Sequence, residues 1–430
     1  MRKSGESSAL ALFGGEPLIK KPFRRHQVIG RSEIKAVRAV MKSGVLSQFL
    51  GTWSPDFFGG PRVIEFEQKC CEYFGSKHSI SVNSWTSGLI AAVGAIGIEP
   101  GDEVIVSPWT MSATAMAILH WNAIPVFVDI NEENFCINPK LIESKITQRT
   151  RAILSVDIFG NSADMNEIMR IAKKHNLTVI SDSAQSPGAK HKGRNAGTIS
   201  HIGGISLNYH KHIHTGEGGV LFTENDELAN RMRLIRNHAE SVVEGMGQSD
   251  LTNMVGFNFR LGEIEAAIGI QQLKKLEEII AKKQSIANKL TEELSPLQGI
   301  KLPKIQNQLE HVYYVYPIIL EPTNLGVSRE RIFNALKSEG LMNISEGYVN
   351  VHLLPIFQKK IAFGKNGFPW VTTSENSNVS YQKGICPVAE RLHDETYLSI
   401  GLGGLDLSEK DVKKIGATFR KVWANLDQLK

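Results

Sequence analysis

The stretch "NYHKHIHTGEGGV", residues 208–220, concentrates side chains that can do chemistry: His210, His212 and His214 at every second position, Lys211 among them, and Gly216-Glu217-Gly218-Gly219 behind. Two chemistries compete for it. On a strand, residues two apart share a face, so the three imidazoles can together offer ligands to zinc, copper or iron. A zinc site, however, needs convergence at roughly 2.0–2.1 Å, which usually takes a bent pair plus a distant third ligand. No H-E-x-x-H or acidic partner motif stands elsewhere in the chain. A polar histidine face on a loop explains the spacing more plainly, so the metal reading is the weaker one and no metal is expected.

The lysine reading rests on placement. In parallel α/β sheets, ligands bind at the carboxyl ends of strands, and three features fall there. Asn83-Ser84-Trp85-Thr86-Ser87 follows the apolar run "HSISV" and opens a helix, whose free N–H groups and dipole suit a phosphate. Asp182 ends "LTVIS", where a carboxylate costs desolvation unless it meets a positive partner. Lys211 lies just past "GGISLN". Singly, these read as a helix cap, a turn residue and a solvated lysine. Together they are what pyridoxal phosphate requires: an anchor for the phosphate, a carboxylate for the pyridine nitrogen, and a lysine for the Schiff base.

The elements that must position these residues alternate from residue 78 onward. Strand-like "HSISVN", "DEVIVS", "IPVFVDI", "RAILSVDIFG" and "LTVISDS" are separated by helical "TSGLIAAVGAIGI", "SATAMAILHWNA", "NPKLIESKI" and "ADMNEIMRIAKKHN". Asn138 caps the third of these helices, with Pro139 in its first turn. This order predicts an α/β fold with a parallel sheet covered on both faces. A helical run from about Leu261 to Leu294 then bridges to a different pattern. "HVYYVYPIIL" and "TYLSIGLGG" read as strands, "SRERIFNALKSEG" as a helix, and a closing helix starts at a capping box of Ser408 and Asp411. Residues 1–290 are read as a large domain and 291–430 as a smaller α+β domain. "EGYVNVHLLPIFQKKIAFGKNGFPW" lacks periodicity and reads as loops.

Bulk numbers narrow the function classes. Hydrophobic residues are 42% and charged residues 22%, and 49 Lys+Arg against 44 Asp+Glu leaves +5. That excess suits an anionic small substrate but is too weak for nucleic acid. Cys70, Cys71, Cys136 and Cys386 form no C-x-x-C pair, which argues against a zinc ribbon or a disulfide framework; Cys70 and Cys71 lie on an amphipathic helix and read as packing. The N-terminus lacks a secretory apolar core and no stretch approaches a membrane span. A cytoplasmic protein that engages no membrane is expected.

The chain also resembles the pyridoxal-phosphate sugar aminotransferases of the DegT/DnrJ/EryC1/StrS family over nearly its whole length. The matching stretches are "PGDEVIVSPWTMSATAMAI", "VISDSAQSPGAKHKGRNAGT", "SLNYHKHIHTGEGGVLFT", "RLIRNH" and "VGFNFRLGEIEAAIG". The resemblance implies the aspartate-aminotransferase-like fold (type I of the pyridoxal-phosphate enzymes) and a homodimer with shared sites. It makes Lys211 the Schiff-base lysine and proton shuttle, and Asp182 the partner of the pyridine nitrogen. Gln185 neighbours the phenolic oxygen. Thr86, the backbone around Trp85, and Ser206 form the phosphate cup. Asn258 reaches the neighbouring subunit's phosphate. His352, in "VHLLPIF", falls where relatives have a substrate-side histidine, and His212 is a second substrate candidate. The histidines around Lys211 are expected to help depress its pKa.

Three positions depart from the family pattern. Ser84-Trp85-Thr86 replaces the frequent Ser-Gly-Thr, so an indole is expected to narrow the cup. Met111 occupies the slot of a ring-stacking aromatic, a role that Met111 or Trp109 must fill. Asp157 stands where a histidine is common. The resulting expectation is transfer of an amino group from an amino acid, L-glutamate by analogy, to a nucleotide-linked keto sugar. The alternatives are a sugar dehydratase, which carries histidine in place of the lysine, amination of a cyclitol ketone, and a sensor that keeps only the pocket.

Overall fold

A computed structural model describes residues 9–304, 308–371 and 377–430. Its centre is a seven-stranded sheet: β1 His78–Val82, β2 Glu103–Val106, β3 Ile124–Phe127, β4 Thr150–Val156, β5 Thr178–Asp182, β6 Ile202–Ser206 and β7 Gly219–Thr223. The spatial order is β1-β7-β6-β5-β4-β2-β3. β7 runs antiparallel to both β1 and β6, and the other pairings are parallel. The interior strands are buried almost without interruption, as strands covered on both faces must be.

Helices α1 Arg31–Ser43, α2 Pro61–Phe74, α3 Trp85–Ala95, α4 Ala113–His120, α5 Met165–His175 and α6 Asp226–Arg236 belong to this part. Cys70 is buried on α2 and Cys71 half-buried. Asn138 does cap the turn that follows β3, accepting from the Lys140 N–H at 3.1 Å.

The single helix expected from Leu261 to Leu294 is two: α7 Glu263–Leu273 and α8 Leu276–Leu294. The junction is held from outside. Gln272 Nε2 donates to the Val28 carbonyl at 3.1 Å and to Glu33 Oε1 at 2.9 Å, and Lys275 Nζ donates to the same carbonyl at 2.7 Å. The expected boundary near residue 290 falls inside α8. Its C-terminal half joins a second core through Ile286, Ala287, Leu290 and Leu294, and Leu10 and Ile19 pack there too.

That second core lies on an antiparallel sheet of β8 Ile300–Lys301, β9 Val315–Leu320, β10 Ile344–Glu346 and β11 Tyr397–Gly401, in the order β8-β9-β11-β10. α9 Arg329–Ser338 and α10 Glu409–Trp423 complete it. The Ser408–Asp411 capping box forms in both directions, at 3.3 and 2.9 Å.

The strand expected across "HVYYVYPIIL" begins only at Val315. Tyr313 sits at φ 51°, and the preceding residues instead bond the loop after β4: Val312 N–H to the Gly160 carbonyl and Tyr314 N–H to the Phe159 carbonyl, at 2.7 and 3.0 Å. Gly160 has φ 100°, and a Cβ there would stand 2.5 Å from the Tyr313 nitrogen, so only glycine permits this crossing. The aperiodic stretch 346–370 is mostly loop and short turns, yet Val351, Phe357 and Trp370 are buried in the first core. Among the described residues no helix is long and apolar enough to cross a membrane.

Candidate active site

The parallel strands deliver their carboxyl ends to one edge. Register sets Val82 opposite Gly219, Gly219 opposite Ser206, and Asp182 opposite Gly204 and Val156. The Asn83-Ser84 corner, Asp157, Asp182 and Ser206 therefore share that edge, and the loop from β6 to β7 brings Lys211 over it.

That loop is not a strand. Lys211 N–H bonds the Asn208 carbonyl at 2.9 Å and Thr215 N–H returns to the Leu207 carbonyl at 3.0 Å, so the two-residue spacing no longer puts the histidines on one face. Each takes a different partner. His210 Nδ1 lies 2.8 Å from the Tyr314 hydroxyl. His212 Nε2 donates to the Val312 carbonyl at 2.7 Å. His214 Nδ1 accepts from Gly216 N–H at 3.3 Å. His212 is fully buried, and burial drives its pKa to about 3. It is a neutral tie between the lysine loop and the 311–314 crossing, which corrects its reading as a substrate contact.

Lys211 is 8% exposed, with Nζ 4.7 Å from the centre of the Tyr314 ring. Burial lowers its pKa from 10.5 to about 8, opposed by the charge of Asp182. The expectation that the flanking histidines depress it is corrected: desolvation does so, and the effect between them runs the other way, Lys211 lowering His210 and His212.

Asp182 is 4% exposed and faces three donors. Trp85 Nε1 and Ala184 N–H reach Oδ1 at 2.7 and 3.1 Å, and the Thr114 hydroxyl reaches Oδ2 at 2.7 Å. Gln185 accepts from Phe159 N–H at 2.9 Å and donates to the Tyr348 hydroxyl at 3.3 Å. Burial, with Asp182's charge acting the same way, pushes Tyr348 up to about 12 despite that hydrogen bond, so it stays a neutral phenol. Asp157, fully buried, accepts from the Ser181 and Ser183 hydroxyls at 2.9 and 2.5 Å and from Ala163 N–H at 2.8 Å. It braces the loop that carries Gln185.

Ser84 caps α3 by accepting from Ser87 N–H at 3.1 Å. Thr86, in the first turn, is exposed. The Trp85 indole does not narrow this seat: it turns back into the core and is 6% exposed. Ser206 Oγ lies at the end of β6, accepting from Asn208 N–H at 3.3 Å. Met111 is exposed just before α4. Trp109 is not available for stacking: it is fully buried, bonds Asn350 Oδ1 at 2.9 Å and stacks on Phe135.

Asn258 lies beside this corner. Its carbonyl accepts from Asn83 Nδ2 at 3.3 Å, and its Oδ1 from Arg260 Nε at 2.9 Å. It caps no helix, because Gly262 is the residue ahead of α7. His352 is fully buried, lies against Phe127 and bonds Glu390 Oε1 at 2.9 Å. It has no surface to offer a substrate, which corrects that expectation.

Tyr314, Tyr348 and Thr114 were missed. Thr114 was legible only as a helix residue and Tyr314 only as a strand residue, and no periodicity marks Tyr348.

The donor set fits pyridoxal phosphate. A buried amine of depressed pKa, a carboxylate held by donors alone, an amide that reaches the same wall, and an exposed threonine in the first turn of a helix with unpaired N–H groups meet at one edge. Residues 27–417 match the DegT/DnrJ/EryC1/StrS aminotransferase family, and the chain belongs to it. It is a pyridoxal-phosphate-dependent sugar aminotransferase by that membership. It is similar to a spore coat polysaccharide biosynthesis protein of Bacillus subtilis, 33% identical over 80% of this chain and 87% of the relative. GDP-perosamine synthase of Caulobacter vibrioides is 35% identical over 66% and 75%. Among solved structures, an aminotransferase from Psychrobacter cryohalolentis superposes with a TM-score of 0.80 at 29% identity, covering 94% of this chain and all of that one.

Proposed function

We propose that the protein moves an amino group from L-glutamate to a nucleotide-linked keto sugar, in the cytoplasm, as a step toward an amino sugar of a surface polysaccharide such as lipopolysaccharide. The observation that carries this reading is the buried Lys211 amine beside Asp182. When bound, pyridoxal phosphate supplies the electron sink that makes the donor's α-proton removable.

The chain supplies the rest. Lys211 would hold the cofactor through its ε-amine, and as a free neutral amine it would take and return the donor's α-proton. Asp182 would hold a negative charge for the ring nitrogen, and Gln185 would meet the phenolic oxygen. The first turn of α3, Thr86 and Ser206 would seat the phosphate. Met111 would cover the ring. The mildly basic chain suits an anionic nucleotide carrier, and the GDP-sugar enzyme and the polysaccharide enzyme among its relatives support substrate and role.

The enzyme acts as a homodimer whose subunits share sites, Asn258 reaching the partner's phosphate seat. The exposure of its side chain supports this. So do the exposed apolar side chains Ile34, Met41, Leu46, Leu50, Trp53 and Val255, since exposed apolar side chains in number mark interaction sites.

The dehydratase reading needs histidine at the lysine position. Lys211 is the residue under Asp182's field, and His212 faces the Val312 carbonyl. The test is a pair of half-reactions. L-glutamate should convert the bound cofactor to its pyridoxamine form, and a nucleotide-linked keto sugar should restore it with release of an amino sugar. Cyclitol ketones serve as the comparison. A dehydrated, amine-free product, or no reaction with any amino donor, would overturn the proposal.

A further inference from the structure

Trp85 stands where the chain leaves β1 and opens α3, so its side chain has two directions: out over the phosphate seat, or back beneath the sheet edge. It goes back. Two glycines make room for the ring and a third lets the backbone approach. A Cβ on Gly204 would stand 2.3 Å from Trp85 Cζ3 and one on Gly88 2.8 Å from Cε3, while one on Gly219 would stand 2.9 Å from the Trp85 Cα. The slot points the indole N–H at Asp182 Oδ1, at 2.7 Å.

The lone pairs can be counted. Each carboxylate oxygen accepts about two hydrogen bonds. Oδ1 takes the indole N–H and the Ala184 N–H, so it is filled. Oδ2 takes the Thr114 hydroxyl, itself 2.6 Å from the Thr110 hydroxyl, and keeps one position. We propose that Trp85 is a positioning residue for the cofactor: its indole N–H fixes the plane of the Asp182 carboxylate and leaves Oδ2 as the atom that meets the ring nitrogen. This rests on the cofactor reading above and goes beyond it, since Trp85 acts through Asp182 and touches no substrate. Without the N–H, Oδ1 keeps a buried, unpaired lone pair and only Ala184 and Thr114 hold the carboxylate, so its plane toward the ring nitrogen is less well fixed.

The plain alternative is that Trp85 only fills the slot between the glycines. Replacing it in the full-length protein with 3-benzothienylalanine keeps the bicyclic shape and exchanges the N–H for sulfur. The readouts are the dissociation constant for pyridoxal phosphate and the 15N shift of ring-labelled cofactor on the protein. The N–H role predicts a dissociation constant raised about tenfold, equivalent to about 1.4 kcal/mol, and a 15N shift moved toward the unprotonated ring, in protein that still melts cooperatively. Trp85→Phe should show the same direction. If it fails to fold, the isosteric variant decides alone. An unchanged 15N shift with affinity within about twofold of the parent would overturn the proposal and leave the cofactor reading standing. A parent protein that captures no pyridoxal phosphate would overturn both.

Discussion

Burial of the Lys211 ammonium sets up a measurable titration. Its pKa falls from 10.5 to about 8 against the opposing charge of Asp182. At neutral pH this raises the neutral fraction from about 0.03% to about 10%, roughly 300-fold, because each unit is worth about 1.4 kcal/mol. The sign for stability follows. The folded value lies below the unfolded one, so the unfolded chain binds more protons between about pH 8 and 10.5. The cofactor-free protein should therefore gain stability as pH climbs through that window, and should carry the full penalty below it. The assay is 13C NMR of cofactor-free protein labelled at the lysine ε carbon. Lys283, capped by the Leu402 and Leu405 carbonyls, is also pushed by burial to about 8, so two low titrations are expected and Lys211→Ala should remove one. Asp182→Asn should move the Lys211 resonance lower still, because the carboxylate is what holds it up. A Lys211-dependent resonance titrating above pH 10, or one that rises in Asp182→Asn, would refute the reasoning.

Lys211→Ala should also lose the visible absorbance that borohydride abolishes in the parent; a borohydride-sensitive chromophore of parental size in that variant would remove Lys211 from its role. Mixing subunits of Lys211→Ala with an Asn258 variant too severe to retain cofactor should restore activity, since a shared site gives each hybrid one intact centre; no recovery despite proven exchange would confine Asn258 to its own subunit. His352→Gln should lower the melting temperature through the lost tie to Glu390, worth about 1–3 kcal/mol, and leave the sugar KM unchanged. A raised KM at parental stability would return His352 to the substrate.

Reading the sequence reached the parts of this site that local pattern carries. Asp182 and the Asn83–Ser87 corner were legible because an apolar run ends at each, and the edge of a parallel sheet gathers such ends; Ser206 came only from the family resemblance. Lys211 was legible from its Gly-rich loop. The spacing of His210, His212 and His214 misled, because the period of two holds only while the chain stays extended, and Lys211 N–H turns back to Asn208. α7 and α8 read as one helix because no proline, glycine or side-chain cap stands at Lys274-Lys275 between them, and the junction is held from Val28 and Glu33, more than two hundred residues upstream.

The chemistry of the site thus lies in the sequence as residue types at strand ends, while their states belong to the tertiary structure. Tyr314 arrives over Lys211 from the crossing that precedes β9, and Tyr348 reaches Gln185 across 163 positions. Trp85 faces Asp182 across 97 positions, and His352 is turned inward by Glu390. No local period encodes such meetings. Whether an amine at position 211 is an ordinary surface charge or a neutral nucleophile depends on how much water these distant side chains exclude, because the cost of a charge is set by the dielectric around it.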